Sequence, residues 1–249
     1  MSELRVHGLG AAVTLQPQTD AAAELLPDVE TAWAWCLEVP NDVVDAGEVA
    51  IPDHTLDERA GTMQRLTQSI TQSLIRARAG ELFLFHAAAL CHPRTGATVM
   101  AVAPGGTGKT TLAKTLGTTY AYLSDETTAI LDDGRIIPYP KPLSLRAAEG
   151  PKIETAPVQL GLLRASVDPW LAGVILLTRD PNATIPDVLE LPLLDAMAAM
   201  APESSSMSKM SRPLHRLRDL LAPVEPVLRV TYAEASQLDE LVDQLIGTP

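Results

Sequence analysis

Hydrophobic positions along this chain switch between two periods, and the switches predict its elements. Residues 5–15 and 31–39 carry short β-like runs broken by Pro, Asp and Gly, which predicts a small, mostly extended section over residues 1–55. From 56 to 79 the period lengthens: Met63, Leu66, Ile70, Leu74 and Ala77 share one helical face, and Gly80 is placed to end it. Residues 81–91 read as extended chain and 92–96 as a turn. The apolar run 97–102 predicts a buried strand that leads straight into a glycine-rich loop, with a helix over 110–116 behind it. A strand over 120–123 comes next, then a hairpin of 128–131 with 135–138 around Asp132, Asp133 and Gly134. Residues 170–178 form a continuous apolar run, as in strands buried on both faces. Pro192 suits the first turn of a helix reaching Met200. A polar loop (201–213), a helix (214–221), a strand (227–232) and a closing helix (236–246) complete the pattern. The expected fold class is α/β, a mixed sheet with several hairpins, in one domain over 56–249.

Composition narrows the partners. With 46% hydrophobic and 20% charged residues in 249, the chain can bury an ordinary globular core. Its formal net charge of -12 argues against a nucleic-acid partner, because phosphate backbones are held by clustered Lys and Arg. It does not argue against a nucleotide, since one loop can attract phosphates inside an acidic protein. No apolar stretch approaches a membrane span, and residues 1–10 lack the apolar core of a signal peptide. Cys36 and Cys91 have neither metal-ligand nor redox spacing. The expectation is a soluble protein of the reducing cytoplasm.

Residues 103–110, Ala-Pro-Gly-Gly-Thr-Gly-Lys-Thr, fit the Walker A pattern in the strand–loop–helix context that it needs. Gly105, Gly106 and Gly108 let the backbone N–H groups turn inward towards phosphates, with Thr107 between them and Thr111 just after. The following helix adds the positive end of its dipole. Lys109 is expected to reach the β- and γ-phosphates of ATP, and the Thr110 hydroxyl to bind Mg²⁺.

Such a loop needs a carboxylate at the end of a neighbouring strand. Asp132-Asp133 follows the more apolar run, but Asp-Asp-Gly between two β-like runs is ordinary hairpin chemistry. Asp125-Glu126, after the strand over 120–123, is the other candidate pair. Upstream, His86 ends the apolar run 82–85, where a lone histidine is usually a core residue; a hairpin would return it beside the loop.

The order His86-Ala87-Ala88, then 103–110 with Thr111-Leu112, then Ser124-Asp125-Glu126, resembles the HPr kinase/phosphorylase family and its shorter relatives. The segment 139–146, Tyr-Pro-Lys-Pro-Leu-Ser-Leu-Arg, looks like the Pro-Lys-Pro segment of the short members. The likeness covers about residues 60–146. It implies a P-loop kinase core of the HPr kinase / phosphoenolpyruvate carboxykinase type and an ATP-dependent phosphotransferase acting on a hydroxyl: Ser or Thr of a protein or peptide, or a small molecule. Carried over, it makes Asp125 the base towards the acceptor and Glu126 a metal-side or orienting carboxylate. His86 would lie near the transferred group or hold the carboxylate in place. Glu126 stands where the family usually has a second Asp, so the division of roles between the pair stays open. The family's phosphorylase signature is not recognisable in the last hundred residues. The resemblance also suggests a homo-oligomer.

Asn-Lys-x-Asp and Leu-Ser-Gly-Gly-Gln segments are absent, against a GTPase or a transporter ATPase. The competing function is an ATP-binding or ATPase module that gates or delivers a partner without phosphorylating it. Lys141, Arg146 and Arg179 are candidate phosphate or acceptor contacts and equally candidate solvated charges. Residues 208–212 read as a flap over substrate, as a contact with a neighbouring subunit or as a disordered connector, and His7, His54, His92 and His215 have no metal spacing.

Overall fold

In the computed structural model, which describes residues 4–249, the chain forms two compact units that interrupt one another in sequence. The first takes the described residues up to Arg78 and then Tyr139–Leu160; the second takes Ala79–Pro138 and Gly161–Pro249. Residues 1–3, part of the opening segment 1–10, lie outside the described residues.

The first unit begins with β1 (Leu4–Gly8) and β2 (Ala11–Pro17), an antiparallel pair turned by Leu9 and Gly10, both at positive φ. Helical chain then intervenes: α1 (Asp20–Ala23), capped by the Thr19 hydroxyl, then α2 (Leu26–Ala32) and a 3₁₀ turn at Ala34–Cys36. This corrects the expectation of extended chain over 31–39. Leu25, Val29, Ala32, Trp33 and Cys36 are all buried, a three-to-four spacing that makes one helical stripe and outweighs the β preference of Thr and Trp. β3 (Val44–Ile51) pairs with β2 in parallel. α3 (Arg59–Arg78) packs against both, burying Met63, Leu66, Ile70 and Leu74, while Ala77 stays half-buried. The unit therefore runs through the helix rather than breaking after residue 55.

The second unit opens with β4 (Phe83–Cys91), β5 (Ala97–Val102), α4 (Lys109–Leu116), β6 (Ala121–Ser124), β7 (Thr127–Ile130) and β8 (Ile136–Ile137). The chain returns to the first unit for the hairpin of β9 (Leu143–Leu145) and β10 (Ile153–Thr155). It re-enters the second for β11 (Leu163–Arg164), β12 (Trp170–Arg179), β13 (Asp187–Leu191), α5 (Leu193–Met200), α6 (Pro213–Leu221), β14 (Val227–Tyr232) and α7 (Asp239–Ile246).

These strands make one nine-stranded mixed sheet in the order β11-β6-β4-β5-β12-β14-β13, with β7 beside the first half of β4 and β8 beyond it. β5, β12 and β14 run parallel, whereas β4 runs against both β5 and β6. The carboxyl ends of β5, β6, β12 and β14 therefore lie at the same edge as the start of β4. In open α/β sheets that edge is where ligands bind.

Side-chain alternation along β4 splits the core. Phe83, Phe85, Ala87, Ala89 and Cys91 join Met200, Leu217 and Leu220 of α5 and α6 on one face. Ala88 and Leu90 join Leu112 and Leu116 of α4 and Val242 and Ile246 of α7 on the other. The unit is a sheet covered by helices on both faces. β5 is buried at every position, as its mostly apolar run predicts, with the Thr98 hydroxyl donating to the Gly96 carbonyl. The hairpin at Asp132–Gly134 is present, with Gly134 at φ +85. No helix among the described residues is long and apolar enough to cross a membrane.

Candidate functional site

β5 ends at Val102 and the chain turns through 103–108 into α4. Gly106 and Gly108 sit at φ +84 and +106, where any side chain is strained. Gly108 is also approached from outside: a Cβ there would stand 2.8 Å from the Tyr232 hydroxyl. That hydroxyl, at the end of β14, donates to the Thr107 carbonyl at 2.7 Å. Within the loop the Thr107 hydroxyl donates to the Pro104 carbonyl at 2.9 Å. A Cβ on Gly106 would meet nothing within 4 Å, so its side of the loop is open.

Lys109 is 6% exposed, and its Nζ donates to the carbonyls of Ala103 at 2.5 Å and Pro104 at 3.0 Å. Burial pushes its pKa down to about 8, against the opposing pull of Glu203 first and then Asp125 and Glu126. Next to it, the Thr110 hydroxyl donates to Asp125 Oδ2 at 2.7 Å. The other oxygen, Oδ1, accepts from the Tyr122 hydroxyl at 3.0 Å, and Asp125 is buried. Its position is fixed by a break between β6 and β7. There the Ser124 hydroxyl accepts from the N–H groups of Glu126 and Thr127 at 3.3 and 3.1 Å, while the Glu126 carbonyl accepts from Ala87 N–H. Glu126 is half-buried, and Thr111 is exposed.

His86 shares the parity of Ala88 and Leu90, whose face packs on α4. It comes back to the loop as the hairpin predicted: its ring Cε1 is 4.0 Å from where a Cβ of Gly105 would stand. Its Nδ1 lies 3.3 Å from Glu203 Oε2. Glu203 belongs to the segment read from sequence as a polar loop. Two 3₁₀ turns, Ala201–Glu203 and Met207–Lys209, shape that segment. Ser205 N–H donates to the Leu84 carbonyl at 2.8 Å and Ser204 bridges Phe85, so it is stitched to the strand that carries His86. Met210 and Ser206 are buried, so residues 201–210 are built into the unit.

The structure thus gathers Gly105, Gly106, Thr107, Gly108, Lys109, Thr110, Asp125, Glu126 and His86 at one edge of the sheet. Two neighbours escaped the sequence reading, Glu203 and Tyr232. Tyr232 had a signal, a polar-tipped aromatic closing a strand parallel to β5; Glu203 had none in spacing. Asp132 and Asp133 pair instead with Arg216 and Arg135 in and around the hairpin. Arg179 reaches the Ala233 carbonyl and Glu234. Lys141 and Arg146 belong to the first unit, where Lys141 is buried and donates to the Pro142 carbonyl. His92 is structural: its Nδ1 accepts two turn N–H groups and its Nε2 faces the Thr248 carbonyl.

No group of three or more His, Cys, Asp or Glu able to hold a metal occurs among the described residues. A Thr hydroxyl joined to one buried carboxylate nevertheless suits Mg²⁺, which is bound by one or two carboxylates together with substrate phosphates. No family model matches the chain, and no curated protein matches it.

Proposed function

We propose that this protein is an ATP-dependent phosphotransferase of the HPr kinase-like kind, whose second unit is a P-loop kinase core. It moves the γ-phosphate to a hydroxyl of a protein, a peptide or a small molecule. The observation that carries this is the bond from Thr110 to Asp125, beside Lys109 and within the same sheet edge as His86. A loop that only joined a strand to a helix would have no need of a buried lysine or a buried aspartate next to it.

The loop N–H groups and the Lys109 ammonium hold the phosphates, and their charge offsets what builds up in transfer. Lys109 already lies along the loop on two neutral carbonyls, so a phosphate replaces weaker partners. Thr110 and Asp125, with Glu126 beside them, would hold Mg²⁺, which neutralises phosphate charge. The closed shape of the loop, tied by Tyr232 and Thr107, keeps these donors in place before substrate arrives.

Mass spectrometry of a broad acceptor panel after incubation with ATP and Mg²⁺ tests the proposal. Wild type gains a phosphorylated acceptor, while Lys109→Ala and Asp125→Ala do not. If ATP binds and no protein, peptide or metabolite gains phosphate, the protein is a nucleotide-dependent binding module instead.

A further inference from the structure

The proton of the acceptor hydroxyl needs a destination, and Asp125 is poorly free to take it. Both of its oxygens are engaged, one by Thr110 and one by Tyr122, and it is 3% exposed. His86 differs on each count. Over a third of its side chain is open, at 36%, and only Nδ1 has a partner among the contacts described above. That partner, Glu203, offers a carboxylate oxygen, which in the neutral ring favours the Nδ1–H tautomer and leaves the lone pair on Nε2. Both nitrogens flank Cε1, the ring atom that comes within 4.0 Å of where a Cβ of Gly105 would stand, so Nε2 is bonded to the atom that faces the glycine-rich loop. Glu203 is held there by the backbone pairing of 204–205 with Leu84 and Phe85.

Resting on the phosphotransfer reading, we propose that His86 is the catalytic base, with Glu203 the positioning residue that fixes its tautomer. As the acceptor oxygen bonds to the γ-phosphorus, its proton passes to His86 Nε2. The bond from that phosphorus to the β,γ-bridging oxygen breaks, and ADP leaves with the electron pair. Glu203 stabilises the imidazolium, which then loses its proton to solvent.

The test uses ATP·Mg with water as the acceptor, fluorescent ATP for binding, and ¹⁵N NMR of the imidazoles. With five histidines in the chain, His86→Gln identifies the resonance of His86. Wild type should show the Nδ1–H tautomer, and Glu203→Gln should change it. His86→Ala should lower phosphate release by roughly 10²–10⁴-fold, the usual span for a general base, with nucleotide affinity changed less than about 2-fold. Added imidazole should restore part of that loss. Glu203→Gln, which also withdraws a charge that supports the Lys109 ammonium, should lower kcat by a larger factor than it changes KM for ATP, and Glu203→Asp should recover part of the kcat loss. If His86→Ala and Glu203→Gln release phosphate as wild type does, the dyad is overturned and the phosphotransfer reading stands. Loss in His86→Ala without imidazole rescue, and with weakened nucleotide binding, makes His86 structural and also overturns it. If wild type binds ATP but transfers phosphate to neither water nor any acceptor, both fall together.

Discussion

The Tyr232 hydroxyl donates to the Thr107 carbonyl at 2.7 Å, tying the glycine-rich loop to the end of a strand two places away in the sheet. Phenylalanine keeps the ring and loses the bond. Tyr232→Phe should cost about 1 kcal/mol, the net worth of a typical hydrogen bond, which lowers Tm by roughly 2–4 °C for a chain of this size. Nucleotide affinity should fall by a few-fold because the loop is less fixed. Differential scanning calorimetry and titration with fluorescent ATP read both. Gly108→Ala should be worse, since it adds φ strain to a 2.8 Å approach, and Tyr232→Phe should restore only the part due to the hydroxyl.

Lys109 makes stability depend on pH in an unusual direction. Burial lowers its pKa from 10.5 to about 8 in the folded chain. Below 8 both states carry the proton, and the folded state bears the full burial penalty. Between about 8 and 10.5 the unfolded chain binds the extra proton, so the nucleotide-free protein gains stability as pH rises through that window. Relative to Lys109→Met, wild-type Tm should therefore improve from pH 8 to 10. ATP affinity should move the opposite way, weakening above pH 8 as the ammonium is lost. A Tm difference that stays flat across the window would contradict the assignment.

How much of this was legible depended on whether the constraint was local. The loop at 103–110 declares itself, because Gly106 and Gly108 answer to local backbone angles at positive φ. β5 and the middle of β12 were legible for a related reason: a strand buried on both faces is mostly apolar, and the one hydroxyl in β5, on Thr98, is satisfied by the Gly96 carbonyl. Residues 31–39 misled because Thr31, Trp33 and Trp35 suit a strand, and only burial of every third or fourth residue fixes the helix. β13 escaped as well. It is an edge strand with Val188 and Leu189 both exposed, so Val188, Leu189 and Leu191 show neither the alternation of a half-buried strand nor the run of a fully buried one. Glu203 was beyond reach because its place follows from a 3₁₀ turn bonding to β4, a pairing across more than a hundred residues that leaves no period in the sequence.

The first unit offers a packing test. A Cβ on Gly8 would stand 2.0 Å from Tyr139 Cδ2. Tyr139 is fully buried, its hydroxyl lies 2.7 Å from the Thr71 hydroxyl, and its ring lies 6.2 Å from Trp33, so it has nowhere to retreat. Gly8→Ala should destabilise by roughly 1–3 kcal/mol, as overpacking does, seen as a lower urea midpoint. Tyr139→Ala removes the Cγ, Cδ2 and Cε2 atoms that the new methyl would meet, so the double variant should lose less than the sum of the singles. Additive losses would mean the two sites do not share this contact.

The two acidic pairs separate most cleanly by substitution to the amides, which keep shape and remove charge. Asp125 is buried, accepts from Thr110 and Tyr122, and acts on Lys109 electrostatically. Asp133 is exposed and accepts from the Arg135 backbone and guanidinium, which hold its pKa below the usual carboxylate range. Asp125→Asn should cut Mg²⁺-dependent phosphate release by about 100-fold or more, the scale seen when a preorganised charge at a reacting centre is removed. It should also weaken the dependence of nucleotide binding on Mg²⁺. Asp133→Asn should leave both within about 2-fold and change Tm little, since exposed ion pairs contribute ~0–1 kcal/mol. Titrating Mg²⁺ against each variant with fluorescent ATP reads the difference directly. Full Mg²⁺ dependence in Asp125→Asn, together with its loss in Asp133→Asn, would move the metal to the hairpin and reverse the choice between the two pairs.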